Sequence, residues 1–102
     1  MKKEELKSKA MEASSLLASM SNEKRLMILC QLIDGERTVS ELAKELDARQ
    51  STISQHLALL RKDGLVASRR EAQTQHYSLV GDAAKSILET LYSIYCAPRK
   101  KK

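Results

Sequence analysis

Between Asp47 and Asp63 this chain of 102 residues holds no carboxylate, yet it carries Arg49, Gln50, Ser51, Thr52, Ser54, Gln55, His56, Arg61 and Lys62. Ser51, Ser54, Gln55, Ala58, Arg61 and Lys62 follow helical spacing on one side, with Ile53, Leu57 and Leu60 on the other. The near end of that outward face is neutral and hydrogen-bonding, and its far end is cationic. Such a face suits the groove of DNA. A Gln amide bonds an adenine edge with both of its ends, and Ser or Thr donates to a base or a phosphate. Arg61 and Lys62 suit phosphates, which position a protein without reading sequence. The amino terminus of the helix also favours a phosphate, and Arg49 stands there. A merely solvated helix face is richer in Glu and Lys paired four residues apart. His56 lies on the flank beside Thr52 and Leu60, where a phosphate contact and packing on the scaffold fit equally well.

Other elements must hold this helix. Thr38-Val39-Ser40-Glu41 reads as a capping box that opens a short helix from Val39 to Leu46, interrupted by Asp47. The polar helix then runs from Gln50 to about Asp63, and Gly64 stands where a left-handed carboxyl-terminal cap belongs. Two helices joined by so short a turn, the second amphipathic, form a helix-turn-helix. Leu65 to Arg70 and Gln75 to Val80 are expected to be strands around the turn Glu71-Ala72-Gln73-Thr74. This hairpin makes the motif winged and puts Arg69, Arg70, Gln73 and Thr74 at or near its tip, in reach of the neighbouring minor groove or backbone.

Upstream, Leu6, Ala10, Ala13, Leu17 and Met20 form one apolar stripe on a helix of about four turns. Ser21 or Asn22 caps the next helix, whose apolar residues Leu26, Met27, Leu29, Cys30, Leu32 and Ile33 imply that protein nearly surrounds it, until Asp34-Gly35 stops it. Asp82 is expected to cap a last helix with Ala84, Ile87, Leu88, Leu91 and Tyr95 on one stripe. The expected fold is mainly α with a small β-hairpin, as a single domain over residues 1–98. Residues 99–102 read as a solvated, disordered basic tail.

The formal net charge of +5 favours an anionic partner. No apolar run approaches the ~20 residues that span a bilayer. The amino terminus is charged and lacks the apolar run of a signal peptide, so a cytoplasmic protein is expected, with no membrane partner. The two histidines, His56 and His76, without a Gly-rich phosphate loop, build no catalytic constellation. Nothing calls for a cofactor. The rival from another class is a winged-helix protein-interaction module, against which the polar, cation-tipped face speaks.

The run Gln50-Ser51-Thr52-Ile53-Ser54-Gln55-His56-Leu57-Ala58-Leu59-Leu60-Arg61, with Asp63-Gly64-Leu65-Val66 and Arg69-Arg70-Glu71 after it, resembles the ArsR/SmtB repressors. Met20-Ser21-Asn22-Glu23-Lys24-Arg25-Leu26 is similar to the opening of that family's second helix. The resemblance covers nearly the whole chain. It implies a symmetric homodimer held by the first and last helices, bound to an inverted repeat in double-stranded DNA and released by an inducer. The family's metal sensors carry cysteines at the start of the helix-turn-helix, where this chain has Ser40-Glu41-Leu42-Ala43-Lys44-Glu45, or Asp and His on the last helix, where this chain has Asp82 but no His after His76. With two Cys and two His in all, and neither pair at ligand spacing, no metal site is expected.

Cys30 and Cys96 remain. In a reducing compartment they are not expected to form a structural disulfide. By residue type alone they fit two small buried apolar side chains. A reactive cysteine needs thiolate character. Cys96 ends a helix, where the dipole disfavours an anion unless Arg99 and Lys100 offset it, and Cys30 has only Lys24 and Arg25 on the preceding turns. The resemblance tips the reading. Leu29-Cys30 together with Tyr95-Cys96 is similar to the family's dithiol branch, in which reactive sulfur species join two thiols of one subunit by a disulfide or a longer polysulfide link. It implies a repressor switched by persulfide or polysulfide through Cys30 and Cys96. A general peroxide or disulfide sensor, and an anti-repressor that displaces another repressor, are the alternatives within the class.

Overall fold

The helix signals in the sequence come from caps and apolar periods, and most of them are realised in the computed structural model, which describes residues 1–96. The order is α1 (Lys3–Met20), α2 (Glu23–Ile33), α3 (Val39–Glu45), α4 (Gln50–Lys62), β1 (Val66–Glu71), β2 (Thr74–Leu79) and α5 (Asp82–Tyr95). This is the winged helix-turn-helix order expected. Asn22, rather than Ser21, caps α2 by accepting from the Arg25 N–H. Thr38 and Glu41 make the expected reciprocal capping box on α3: the Glu41 N–H donates to Thr38 Oγ1 at 3.1 Å and the Thr38 N–H to Glu41 Oε1 at 2.8 Å.

The turns between α3 and α4 and between α4 and β1 are built alike. After α3, the Ala48 N–H reaches back to the Ala43 carbonyl at 2.9 Å and the Asp47 N–H to Lys44 at 3.3 Å. After α4, the Leu65 N–H reaches Leu60 at 2.9 Å and the Gly64 N–H reaches Arg61 at 3.1 Å. Both are Schellman closures, which need one left-handed residue. Gly64 supplies it with φ +82°, and Asp47 does so with φ +53°. Asp tolerates that region better than most residues because its side chain is short and polar.

Several boundaries differ from expectation; α3, expected to reach Leu46, ends at Glu45 with Leu46 as its C-cap. Glu71 pairs with Thr74, so the hairpin turn is Ala72-Gln73 alone, with Ala72 at φ +57°. The strands therefore run one residue further towards the tip, because the backbone closes in two residues rather than four. Gly81, not Asp82, is the N-cap of α5; Asp82 is the first helical residue, and no side chain caps that end. α1 spans 18 residues, a turn more than its apolar stripe indicates.

One core holds the elements: Ile28, Leu29 and Leu32 of α2, Leu42 and Ala43 of α3, Ile53, Leu57 and Leu60 of α4, Leu65, Val66, and Ala84 and Leu88 of α5, with Met20 from α1. Ile28, absent from the apolar set read off α2, is completely buried. Each large buried side chain contributes about 1.5–3 kcal/mol against exposure. Apart from Met20, the apolar stripe of α1 does not join this core. Leu6, Met11 and Leu17 are more than half exposed, as are Tyr92, Ile94 and Tyr95 on α5. Among the described residues no helix is long and apolar enough to cross a membrane.

Candidate nucleic-acid interface and thiol pair

The inner face of α4 anchors it through Ile53, Leu57 and Leu60, all completely buried. Its other side is left to solvent: Gln50, Ser51, Ser54, Gln55, Ala58, Arg61 and Lys62 are exposed, with Thr52 half-buried at the edge. Gln50 Nε2 donates to Ser40 Oγ at 3.2 Å, tying the first turn of α4 to α3. Sequence spacing carries no sign of Ser40 in this role, since it belongs to the preceding helix. Among the described residues Arg49, Arg61, Lys62 and Arg70 form no ion pair, so four cations around the motif carry uncompensated charge.

His56 turns the other way. It is half-buried, its Nδ1 is shut off from solvent without a partner, and it faces Lys24 and Arg25 at the start of α2. Burial, then Arg25, then Lys24 push its pKa below the ordinary histidine value. Arg25 is itself fixed, with Nη1 donating to the Ser19 carbonyl at 3.1 Å. Of the two readings open for His56, this placement fits packing on the scaffold.

The wing separates its two arginines. Arg69 pairs across the hairpin with His76, and Arg70 with Gln75. Adjacent residues of a strand face opposite sides. On one side Arg69 Nε and Nη2 donate to the two oxygens of Glu36, both at 2.9 Å, and Nη1 donates to Glu71 at 3.2 Å. Hydrogen bonding from Arg69 holds the Glu36 carboxyl below the usual carboxylate range, and both carboxylates raise the pKa of Arg69. Arg70 is exposed on the other side, and Gln73 and Thr74 are exposed at the tip. Glu36 is not legible as a site residue from sequence, because it lies 33 positions from Arg69.

Cys30 and Cys96 are free thiols. They stand on α2 and at the carboxyl end of α5, two helices that pack against each other. Cys30 is half-buried in α2, and Cys96 is exposed at the end of α5. Burial first, and Cys96 second, push the Cys30 thiol up from its ordinary pKa. Lys24 and Arg25, the cations that the sequence offers to Cys30, act on His56 instead. Arg99 and Lys100, offered to Cys96, lie outside the described residues, as does the rest of the basic tail 99–102 with Pro98 before it. No three metal-ligating side chains come together among the described residues.

Comparison with known proteins places this geometry. Residues 22–68 match the family model described as bacterial regulatory protein, arsR family. The chain is 47% identical over 93 residues to the transcriptional activator HlyU of Vibrio cholerae, covering 91% of this chain and 86% of that one. The solved structure of reduced HlyU superposes with a TM-score of 0.87, over 91% of this chain and 98% of that one. The biofilm growth-associated repressor of Agrobacterium fabrum is 43% identical over 93% of this chain and 81% of its own. A homodimeric winged helix-turn-helix DNA-binding domain from Mycobacterium bovis superposes with a TM-score of 0.75 at 26% identity, over 92% of this chain and 86% of that one.

Proposed function

The chain belongs to the arsR family of bacterial regulatory proteins, and from that premise we propose that it is a cytoplasmic, homodimeric repressor whose hold on DNA is switched by reactive sulfur species through Cys30 and Cys96. Its close relatives are transcriptional regulators rather than enzymes. One observation carries the DNA reading: the exposed face of α4 has no carboxylate, and the cations beside it are unpaired among the described residues. α4 enters the major groove of an inverted-repeat duplex, led by Gln50, Ser51, Thr52, Ser54 and Gln55. Arg49, Arg61 and Lys62 meet phosphates, and Arg70, Gln73 and Thr74 meet the backbone or minor groove from the wing.

The packing of α2, which carries Cys30, against α5, which ends at Cys96, supports the switch, as does the exposure of Cys96. Cys96, the exposed thiol, attacks the outer sulfur of a persulfide RSSH, forms a Cys96 persulfide and releases the thiol RSH. Cys30 then attacks the inner sulfur of that persulfide. A disulfide forms between Cys30 and Cys96, and hydrogen sulfide leaves. Two thiols and one RSSH thus give one disulfide, one RSH and one hydrogen sulfide. If a second RSSH extends the chain first, the link is a trisulfide and a second RSH leaves. The link straps the end of α5 to α2. It shifts the dimer only if DNA binds the two states differently.

Intact-mass spectrometry after treatment with a persulfide donor, beside peroxide-treated and untreated protein, tests the chemistry. The expected product has lost both free thiols, and part of it has gained the mass of whole sulfur atoms. Retention of both thiols under the persulfide donor overturns the switch. Equal response to peroxide makes the protein a general thiol sensor. The name of the Vibrio relative, an activator, favours one second reading, in which the bound dimer relieves another repressor.

A further inference from the structure

We infer that Arg69 is a positioning residue rather than a DNA contact: clamped by Glu36, it fixes the angle of the wing against the helix-turn-helix, so that Arg70 alone of the two arginines meets DNA. The inference rests on the DNA-binding reading above and refines it.

All three guanidinium nitrogens of Arg69 are engaged: Nε and Nη2 by Glu36, Nη1 by Glu71. His76 Nε2 stands 3.7 Å from the same Glu71 oxygen. Two carboxylates around one guanidinium leave that side of the wing with no positive charge to offer a phosphate. Glu36 lies in the connection between α2 and α3. Its neighbour Arg37 pairs with Tyr77 of β2 through both backbone bonds, Arg37 N–H to Tyr77 O at 3.0 Å and Tyr77 N–H to Arg37 O at 2.8 Å. The Arg37 side chain donates from Nε to Glu45 of α3 at 3.1 Å, and Gln31 Nε2 of α2 donates to Glu45 at 2.9 Å. The Glu36-Arg37 pair therefore joins both wing strands to α2 and α3, and those two helices seat α4. Single surface ion pairs add little stability. A bidentate guanidinium-carboxylate fork fixes direction, and direction is what a wing must hold while α4 occupies the neighbouring groove.

The test is the salt dependence of binding to an inverted-repeat duplex that the reduced protein selects from random sequence. The variants are Glu36→Gln, Arg69→Gln, the double variant and Arg70→Gln, with folding of each checked by circular dichroism. The clamp predicts that Glu36→Gln weakens binding several-fold although it removes a negative charge. Arg69→Gln weakens it similarly, and the double variant is no worse than either single one. None of the three changes the slope of log K against log salt. Arg70→Gln flattens that slope by about 0.9 for each phosphate it no longer neutralises. If freeing Arg69 by Glu36→Gln strengthens binding or leaves it unchanged, or if Arg69→Gln flattens the slope, the clamp is wrong and Arg69 touches DNA or is idle. A wild-type protein that binds no duplex with a steep salt slope sinks the DNA reading itself, which is a separate outcome.

Discussion

At the residue scale the two thiols are unequal. Cys96 is exposed, whereas Cys30 is half-buried with its pKa raised by burial and by Cys96. A thiol reacts through its thiolate, so alkylation at neutral pH is expected to label Cys96 first and Cys30 slowly. Peptide mapping after a brief pulse of iodoacetamide checks this, and preferential labelling of Cys30 would contradict the assigned order of attack. His56 gives a pH signature. Its folded pKa lies below the ordinary 6.5, so it is neutral in folded and unfolded chains alike at higher pH. As pH falls through that value the unfolded chain binds the proton first, and folding stability drops until the folded His56 is protonated too. His56→Gln is expected to flatten this loss in denaturation measured from pH 7 to pH 5. An unchanged pH profile would mean that His56 is not the group responsible. Type and helical phase make the outward residues of α4 legible from sequence. The direction of His56, the engagement of Arg69 and the role of Glu36 are not, because each depends on a side chain brought from a distant element.

At the element scale, local signals are the readable ones. Thr38 and Glu41 announce α3 because a capping box is four residues long, and removing it with Thr38→Ala is expected to cost about 1 kcal/mol of folding stability in urea melts. Asp47 shows the limit. It is readable as an interruption, yet its left-handed φ of +53° makes it the counterpart of Gly64. Asp47→Gly is expected to leave the fold at least as stable, since glycine adopts that region without a steric penalty. Destabilisation in the same melts would show that the Asp side chain itself holds the turn. The hairpin is legible in the sequence but with too long a turn, because Ala72 is not a residue whose type signals a positive φ.

At the scale of the whole molecule, one subunit leaves apolar side chains of α1 and α5 uncovered outside the core, with Leu17 at 52% and Tyr95 at 79% exposure. Patches of that kind mark association surfaces, and two half-sites of an inverted repeat require two reading helices. Leu17→Lys is expected to give monomers in sedimentation and to lower operator affinity by about 10²-fold or more, as bivalent binding is lost. In the proposed switch a link between Cys30 and Cys96 would join α5, a stripe-bearing helix, to α2, which carries the core beneath the reading helix, and such a strap would change how the subunits of the proposed dimer are set. The most direct measurement is the affinity of the reduced and the persulfide-treated protein for the selected inverted repeat, in the wild type and in Cys30→Ser. Treatment is expected to weaken the wild type by about 5–150-fold, a reductant to restore it, and Cys30→Ser to hold DNA equally well before and after. Release of DNA by treated Cys30→Ser, or undiminished binding by the treated wild type, would contradict the switch.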